Sequence, residues 1–195
     1  AREKRPDLVI LDITLAGLTT FHIGGKPVCY MMPADRDELS EAVKTCRLLD
    51  LDWRVLGGGS NLLVEDGPLP FAVIHVCSPG MDWVKRTGHE RIRVGAGRKL
   101  PALLSFCRKK GLGGLEFLAG VPGTVGGAIA GNAGAWGEDI CSHLERIWLM
   151  HPDGTTEEKH GAELEACYRG LELEGAVVAE AEFRLQRRAP ELIGR

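Results

Sequence analysis

Trp53-Arg54-Val55-Leu56-Gly57-Gly58-Gly59-Ser60-Asn61-Leu62-Leu63-Val64 is the stretch on which the fold of this chain turns. Trp53 to Leu56 favours a short strand because branched and aromatic side chains pack well on a pleated surface. Three glycines then remove every side chain where that strand ends. The backbone there can adopt φ > 0 and come close to a bound group. Successive exposed N–H groups in such a loop form a concavity for an anion. Leu62-Leu63-Val64 is expected to resume extended structure.

Upstream, Val28 to Met32 reads as a strand closed by Pro33. Asp35 suits a helix N-cap, and Glu38 three residues later completes a capping box. Leu39, Ala42, Val43, Cys46 and Leu49 recur at helical spacing, predicting a helix over about 36–50. This strand–helix–strand unit is expected to form a first subdomain over residues 1–70. Downstream, 72–76 and 91–94 read as strands. Leu100, Leu103, Leu104 and Cys107 give a helix one apolar face, and Gly111 suits its C-terminal end. Residues 145–150 and 176–183 are further strands, with a turn at Pro152-Asp153-Gly154. A second subdomain is expected over 71–188, with 189–195 as a linker. Strands with interspersed helices give a fold class of α+β or α/β, and α+β is the one expected.

The chain has 26 glycines in 195 residues, about twice the usual ~7%. Twelve lie between Gly95 and Gly137, so the excess is local. A net charge of −3 offers no electrostatic footprint for nucleic acid. Apolar runs fall short of the ~20 residues that span a bilayer. Leu8-Val9-Ile10-Leu11, bracketed by Asp7 and Asp12, is too short for a secretory signal. The chain is therefore expected to be soluble and cytoplasmic, without nucleic-acid or membrane partners. Cys29, Cys46, Cys77, Cys107, Cys141 and Cys167 contain no close pair of the metal or redox kind. They are expected to be reduced and structural, and no metal site is expected.

The familiar nucleotide loops fail. Leu62 occupies the third glycine position of G-x-G-x-x-G after Gly57, and Leu100 does so after Gly95. A Walker loop would need Gly-Lys-Ser/Thr, which does not occur. The residues alone leave two readings open: a phosphate-bearing cofactor, or glycines that serve only turns and tight packing.

Four strings in order then carry a resemblance. They are Thr19-Thr20-Phe21-His22-Ile23-Gly24-Gly25, Leu56 to Val64, Gly114 to Ala128, and Asn132-Ala133-Gly134-Ala135-Trp136-Gly137. With Tyr168-Arg169, they resemble the UDP-N-acetylenolpyruvoylglucosamine reductase (UDP-N-acetylmuramate dehydrogenase) family over roughly residues 19–185. The resemblance implies a two-subdomain FAD-binding fold of the vanillyl-alcohol-oxidase / p-cresol-methylhydroxylase type. It implies that Gly57, Gly58, Gly59, Ser60 and Asn61 hold the FAD pyrophosphate from the first subdomain. Gly120, Val121, Pro122, Gly123, Thr124, Gly126 and Gly127 would hold it from the second, with Asn132 and Gly134 continuing the wall.

The implied activity is NADPH-dependent reduction of a UDP-sugar enolpyruvyl ether in peptidoglycan precursor synthesis. Arg169 matches the family's catalytic arginine, whose planar, permanently charged fork suits a developing carboxylate charge. Two positions depart from the family: Leu171 stands where a serine is usual, and Gly131 where methionine is common. The family's proton-donor serine and late glutamate have no counterpart here. The chain is accordingly expected to be the FAD-binding part of a longer enzyme, with little turnover by itself. The alternatives are another FAD-dependent oxidase of the same fold, or a non-catalytic module retaining it. None of the six histidines matches a covalent flavin attachment site.

Overall fold

The computed structural model describes residues 13–167 and 170–189. The apolar run at 8–11, Tyr168, Arg169 and most of the expected linker lie outside the described residues. A first, parallel sheet contains β1 (Lys26–Met31), β2 (Trp53–Leu56) and β3 (Pro68–His75) in the order β1-β3-β2. Helix α1 (Arg36–Leu48) makes the crossover from β1 to β2. It starts where the sequence predicts because the Asp35 carboxylate accepts the N–H groups of Asp37 and Glu38. The Glu38 carboxylate accepts from Ala34 rather than from Asp35, so the reciprocal half of the box reaches one residue further back.

Residues 72–76 do not open the second block as the linear reading suggests. Residues 72–75 lie in β3, which pairs in parallel with both β1 and β2, and the Val76 N–H that follows donates to the Leu56 carbonyl. An apolar run states that a strand is buried but not which sheet takes it, because a parallel partner arrives through a crossover. Residues 62–65 form no strand, and Leu63 stays 78% exposed.

The second sheet is antiparallel: β4 (Val84–Arg86), β5 (Arg91–Gly95), β6 (Leu144–Met150), β7 (Thr156–His160) and β8 (Val177–Arg184), in the order β7-β6-β8-β5-β4. Helix α2 (Leu100–Lys110) packs Leu100, Leu103 and Cys107 inward and ends at a left-handed Gly111. Two elements were invisible to periodicity. Thr-Glu-Glu-Lys-His at β7 is wholly polar, but the Pro152-Asp153-Gly154 turn brings it back antiparallel to β6. Asp153 secures that turn by accepting from the Thr155 N–H at 2.8 Å.

Helix α3 (Val125–Ala130) is Val-Gly-Gly-Ala-Ile-Ala, a composition that disfavours helix by roughly 1 kcal/mol per glycine. Tertiary contacts override that cost. Val125 and Ile129 are fully buried, and the first-turn N–H groups of Val125 and Gly126 bond to the carbonyls of Arg98 and Ala96 at 2.9 Å.

The largest core lies beneath the second sheet, where Phe183, Leu103, Leu118, Ile129 and Ile147 are inaccessible to solvent. A separate core under α1 joins Leu39, Val43 and Ile74 to Met150, Val177 and Ala179 of the second sheet. The two sheets thus share buried side chains and hold a fixed face towards each other. Among the described residues, no helix is long and apolar enough to cross a membrane.

Candidate cofactor site

Between the ends of β2 and β3 and the loop entering α3 lies a cavity of about 1130 Å³. It is lined on one side by Gly57 to Leu62 and on the other by Val121 to Thr124, Gly126 and Gly127. Ala130 to Ala135, Cys167, Leu173 and Ala176 to Val178 complete the wall. Every cofactor residue expected from the resemblance lines this space except Gly120, which is exposed at the bend before it. No lysine or arginine among the described residues lines the cavity, while Glu138 and Asp139 do. A dianionic group placed here would depend on uncharged donors.

The first glycine loop has those donors in a row. Among the described residues, no acceptor takes the backbone N–H of Gly57, Gly58, Gly59, Ser60 or Asn61. Successive backbone N–H groups in a loop form an anion-binding concavity, so such a run fits a pyrophosphate. The string Thr19–Gly25 braces the loop from behind: the Thr20 N–H donates to the Gly59 carbonyl at 2.9 Å. Gly59 has φ +63°, and a Cβ there would lie 1.9 Å from the Leu18 carbonyl oxygen.

Across the cavity, the second loop meets the first directly. A Cβ on Gly58 would stand 3.0 Å from Gly123 Cα, and one on Gly57 would stand 2.7 Å from Thr124 Oγ1. A Cβ on Gly123 would meet Ser60 Oγ at 2.8 Å. These glycines therefore serve tight packing of loop on loop as well as access for a ligand. The two readings left open by the sequence are both true at the same residues.

The remaining expected residues divide by what their donors already do. Gly123 and Thr124 keep N–H groups that bond to no described acceptor. Gly126 donates to Ala96, and Gly127 donates to Thr124 Oγ1 at 3.4 Å. These two glycines offer room rather than hydrogen bonds. Gly126 is where α3 touches β5's following residue, since a Cβ would come 2.8 Å from Ala96 Cβ. The Asn132 side chain is likewise engaged: its amide donates to the Cys167 carbonyl at 3.1 Å, and its oxygen accepts from the Cys141 N–H at 3.4 Å. Asn132 ties the wall together. Gly134 sits in a two-residue ladder against Asp139.

The sequence reading missed the apolar half of the cavity, including Val55, Val76, Ala128, Ala130, Ala133 and Leu173. Its available signal was the run of glycine and alanine from 126 to 135, which leaves a wall with little side-chain relief. Leu171, where the family has serine, is buried in the main core and pairs antiparallel with Ala166.

Cys167 is an exposed thiol on the cavity wall. Burial pushes Cys46 to about 11, and Cys107 and Cys141 to about 12, so these three remain protonated. Alkylation of the native protein at neutral pH is expected to modify Cys167 first, read by peptide mass mapping. Fast modification of Cys107 or Cys141 in folded protein would contradict the burial.

The FAD binding domain family profile matches residues 27–159. Among curated proteins, the UDP-N-acetylenolpyruvoylglucosamine reductase of Pelobacter propionicus is 38% identical over 185 residues, covering 94% of this chain and 62% of that protein. The corresponding reductase of Bacillus subtilis is 35% identical, covering 98% and 64%. The chain thus spans a little over three fifths of the curated relatives it matches. The crystal structure of UDP-N-acetylenolpyruvylglucosamine reductase from Thermus caldophilus superposes with a TM-score of 0.81 at 34% identity, over 94% of this chain and 65% of that one. A pollen glucose dehydrogenase, Phl p 4.0202, superposes at 0.66 with 20% identity, which speaks to the fold alone. The fold is the two-lobed FAD-binding type that the resemblance implied. With well over half of its length matched by that profile, this chain belongs to the FAD binding domain family.

Proposed function

We propose that this chain is the FAD-binding portion of an enzyme that reduces UDP-N-acetylglucosamine enolpyruvate to UDP-N-acetylmuramate with NADPH, in peptidoglycan precursor synthesis. The observation that carries the reading is the run of five N–H groups from Gly57 to Asn61 that bond to no acceptor among the described residues, facing Gly123 and Thr124 across one cavity. Relatives of that name over nearly the whole chain supply the reaction class. Gly57 to Asn61 would hold the pyrophosphate from the first lobe, and Gly123 and Thr124 from the second. Val121 and Pro122 would shape the rim between them, while Gly126 and Gly127 leave room for the ligand. Gly120, outside the lining, would act through the bend that aims this loop.

FAD held there would supply the hydride-transfer chemistry between NADPH and the enolpyruvyl double bond. The protein's task is to orient that group and exclude water from it. The small lining residues Ala128, Ala130, Gly131, Ala133, Gly134 and Ala135 would leave room for the cofactor beside the backbone, and Val177 and Val178 line the same cavity. Arg169, two residues beyond the wall residue Cys167, is proposed to bind the enolpyruvyl carboxylate and to stabilise the charge that grows there. Residues 189–195 would lead towards the part of the relatives that this chain does not cover. The UDP-sugar contacts and the proton donor are assigned to that part.

The test is a visible spectrum of purified protein after incubation with FAD and gel filtration, followed by heat release. Bound yellow chromophore that leaves as free FAD is the expected result. Protein that stays colourless after saturation with FAD would overturn the assignment. NADPH-dependent reduction of the enolpyruvyl sugar by this chain alone is expected to be negligible. Turnover at the rate of a full-length relative would show that the proton donor lies within these 195 residues.

A further inference from the structure

Trp136 carries two costs that the cofactor reading does not use. It sits at the tip of a hairpin in which Gly134 pairs with Asp139 and Ala135 with Glu138, so Trp136 and Gly137 form a two-residue loop. Both have positive φ, +59° at Trp136 and +84° at Gly137. That is the pattern of a type I′ turn, whose first central position favours asparagine, aspartate or glycine. A bulky side chain at positive φ crowds its own backbone. The second cost is exposure, since the indole is 94% accessible to solvent.

The hairpin that presents this side chain is braced. The His143 ring stacks on buried Phe117 with centroids 5.4 Å apart, and its Nε2 donates to the Glu138 carboxylate at 3.2 Å. The Asp139 carboxylate accepts from the Ser142 N–H at 2.9 Å, and the Ile140 N–H donates to the Ala133 carbonyl at 3.0 Å. The strained turn is therefore imposed by its surroundings, the condition under which such outliers persist and gather at functional sites. Ala135, Gly137 and Glu138, on either side of Trp136, line the cavity between the glycine loops, whereas Trp136 does not. The indole thus stands at the edge of that cavity and faces solvent.

We propose that Trp136 is a stacking platform for a planar nucleotide ring at the edge of this cavity. An indole offers a flat aromatic face, and every heteroaromatic base has a face that stacks on it. The surroundings suit a ring better than a protein partner. Gly134, Gly137, Glu138 and Asp139 put small or charged residues around the indole, not the contiguous apolar patch that marks a protein contact. Two nucleotides of the proposed reaction carry such rings: FAD, and the NADPH that must approach it. The inference rests on the FAD assignment above and adds a contact outside the residues assigned to the pyrophosphate.

The test uses the whole chain, with FAD as the first probe and NADP⁺ on the FAD-loaded protein as the second. Affinities are measured for the parent, Trp136→Phe and Trp136→Asn, beside thermal unfolding of each without nucleotide. Phenylalanine keeps an aromatic face, so Trp136→Phe is expected to bind within about threefold of the parent. Asparagine removes that face, and Trp136→Asn is expected to lose at least about fivefold in affinity for one of the two nucleotides. A loss already seen with FAD assigns the ring to the cofactor, and a loss confined to NADP⁺ assigns it to the second nucleotide. Asparagine also tolerates positive φ, so the same substitution is expected to raise the unfolding temperature by about 2 °C or more. In the parent, hydroxyl-radical oxidation of Trp136 relative to Trp53, read by peptide mass mapping, is expected to slow when the nucleotide binds.

A parent that binds FAD, with Trp136→Asn binding both nucleotides as the parent does, would overturn the inference and leave the FAD assignment standing. Oxidation of Trp136 unchanged by both nucleotides would overturn it as well, and that measurement needs no variant. A lowered unfolding temperature in Trp136→Asn would show that the indole serves the fold instead. A parent that binds no FAD would remove both the assignment and the inference.

Discussion

Gly58→Val is expected to weaken FAD binding by at least a hundredfold while leaving a folded protein. A Cβ at position 58 already stands 3.0 Å from Gly123 Cα, and the two branches of valine extend past that point. The atom opposite is backbone, so no side-chain rotation relieves the contact. The loops must separate, and the two sets of N–H groups then no longer converge on one pyrophosphate. Losing several charge-assisted hydrogen bonds at once explains the size of the effect, since each contributes about 1.5–3 kcal/mol. Gly58→Ala is the graded control, expected to lose about tenfold because the loops need give only a few tenths of an ångström. Position 58 is exposed and outside every apolar core, so the unfolding temperature should fall by only a few degrees. Titration with FAD reads the outcome, and valine binding within threefold of the parent would refute the two-loop cradle.

The largest expected stability loss comes from Phe183→Ala. Phe183 is inaccessible to solvent on β8, the strand that pairs with both β5 and β6. Truncating a buried phenylalanine costs about 3–5 kcal/mol, from lost transfer energy plus the cavity left behind. Against a typical total of about 5–15 kcal/mol, that is a large share. Val177 and Val178, near the other end of the same strand, line the cavity between the glycine loops. Loosening β8 should therefore also raise the FAD concentration needed for half-saturation. Urea unfolding checks the first part, and a loss below 1 kcal/mol would show that this core readily collapses around the gap.

The elements whose signal is local were legible. Asp35 and the 39–46 periodicity located α1, Gly111 ended α2, and a strand ran into the glycine loop at Gly57. α3 was not legible, because Val-Gly-Gly-Ala-Ile-Ala has poor propensity and is stabilised by carbonyls of Ala96 and Arg98 nearly thirty residues earlier. β7 was hidden in the same way, its polar residues paired only because a turn returns them to β6. The sheet that receives β3 was also undetermined, since burial of an apolar run does not specify its neighbours.

The sequence by itself determined that bare backbone would be presented at two places, because glycine acts through the absence of a side chain wherever it stands. It also determined the helices whose caps and apolar stripes lie within a few residues of each other. Only the tertiary structure decided what each glycine is for. Gly58 meets Gly123 across the cavity, Gly126 meets Ala96, and Gly59 meets the Leu18 carbonyl. Whether an N–H is free for a ligand depends on which distant carbonyl reaches it first. That is settled by packing between residues far apart in the chain, which no local pattern encodes.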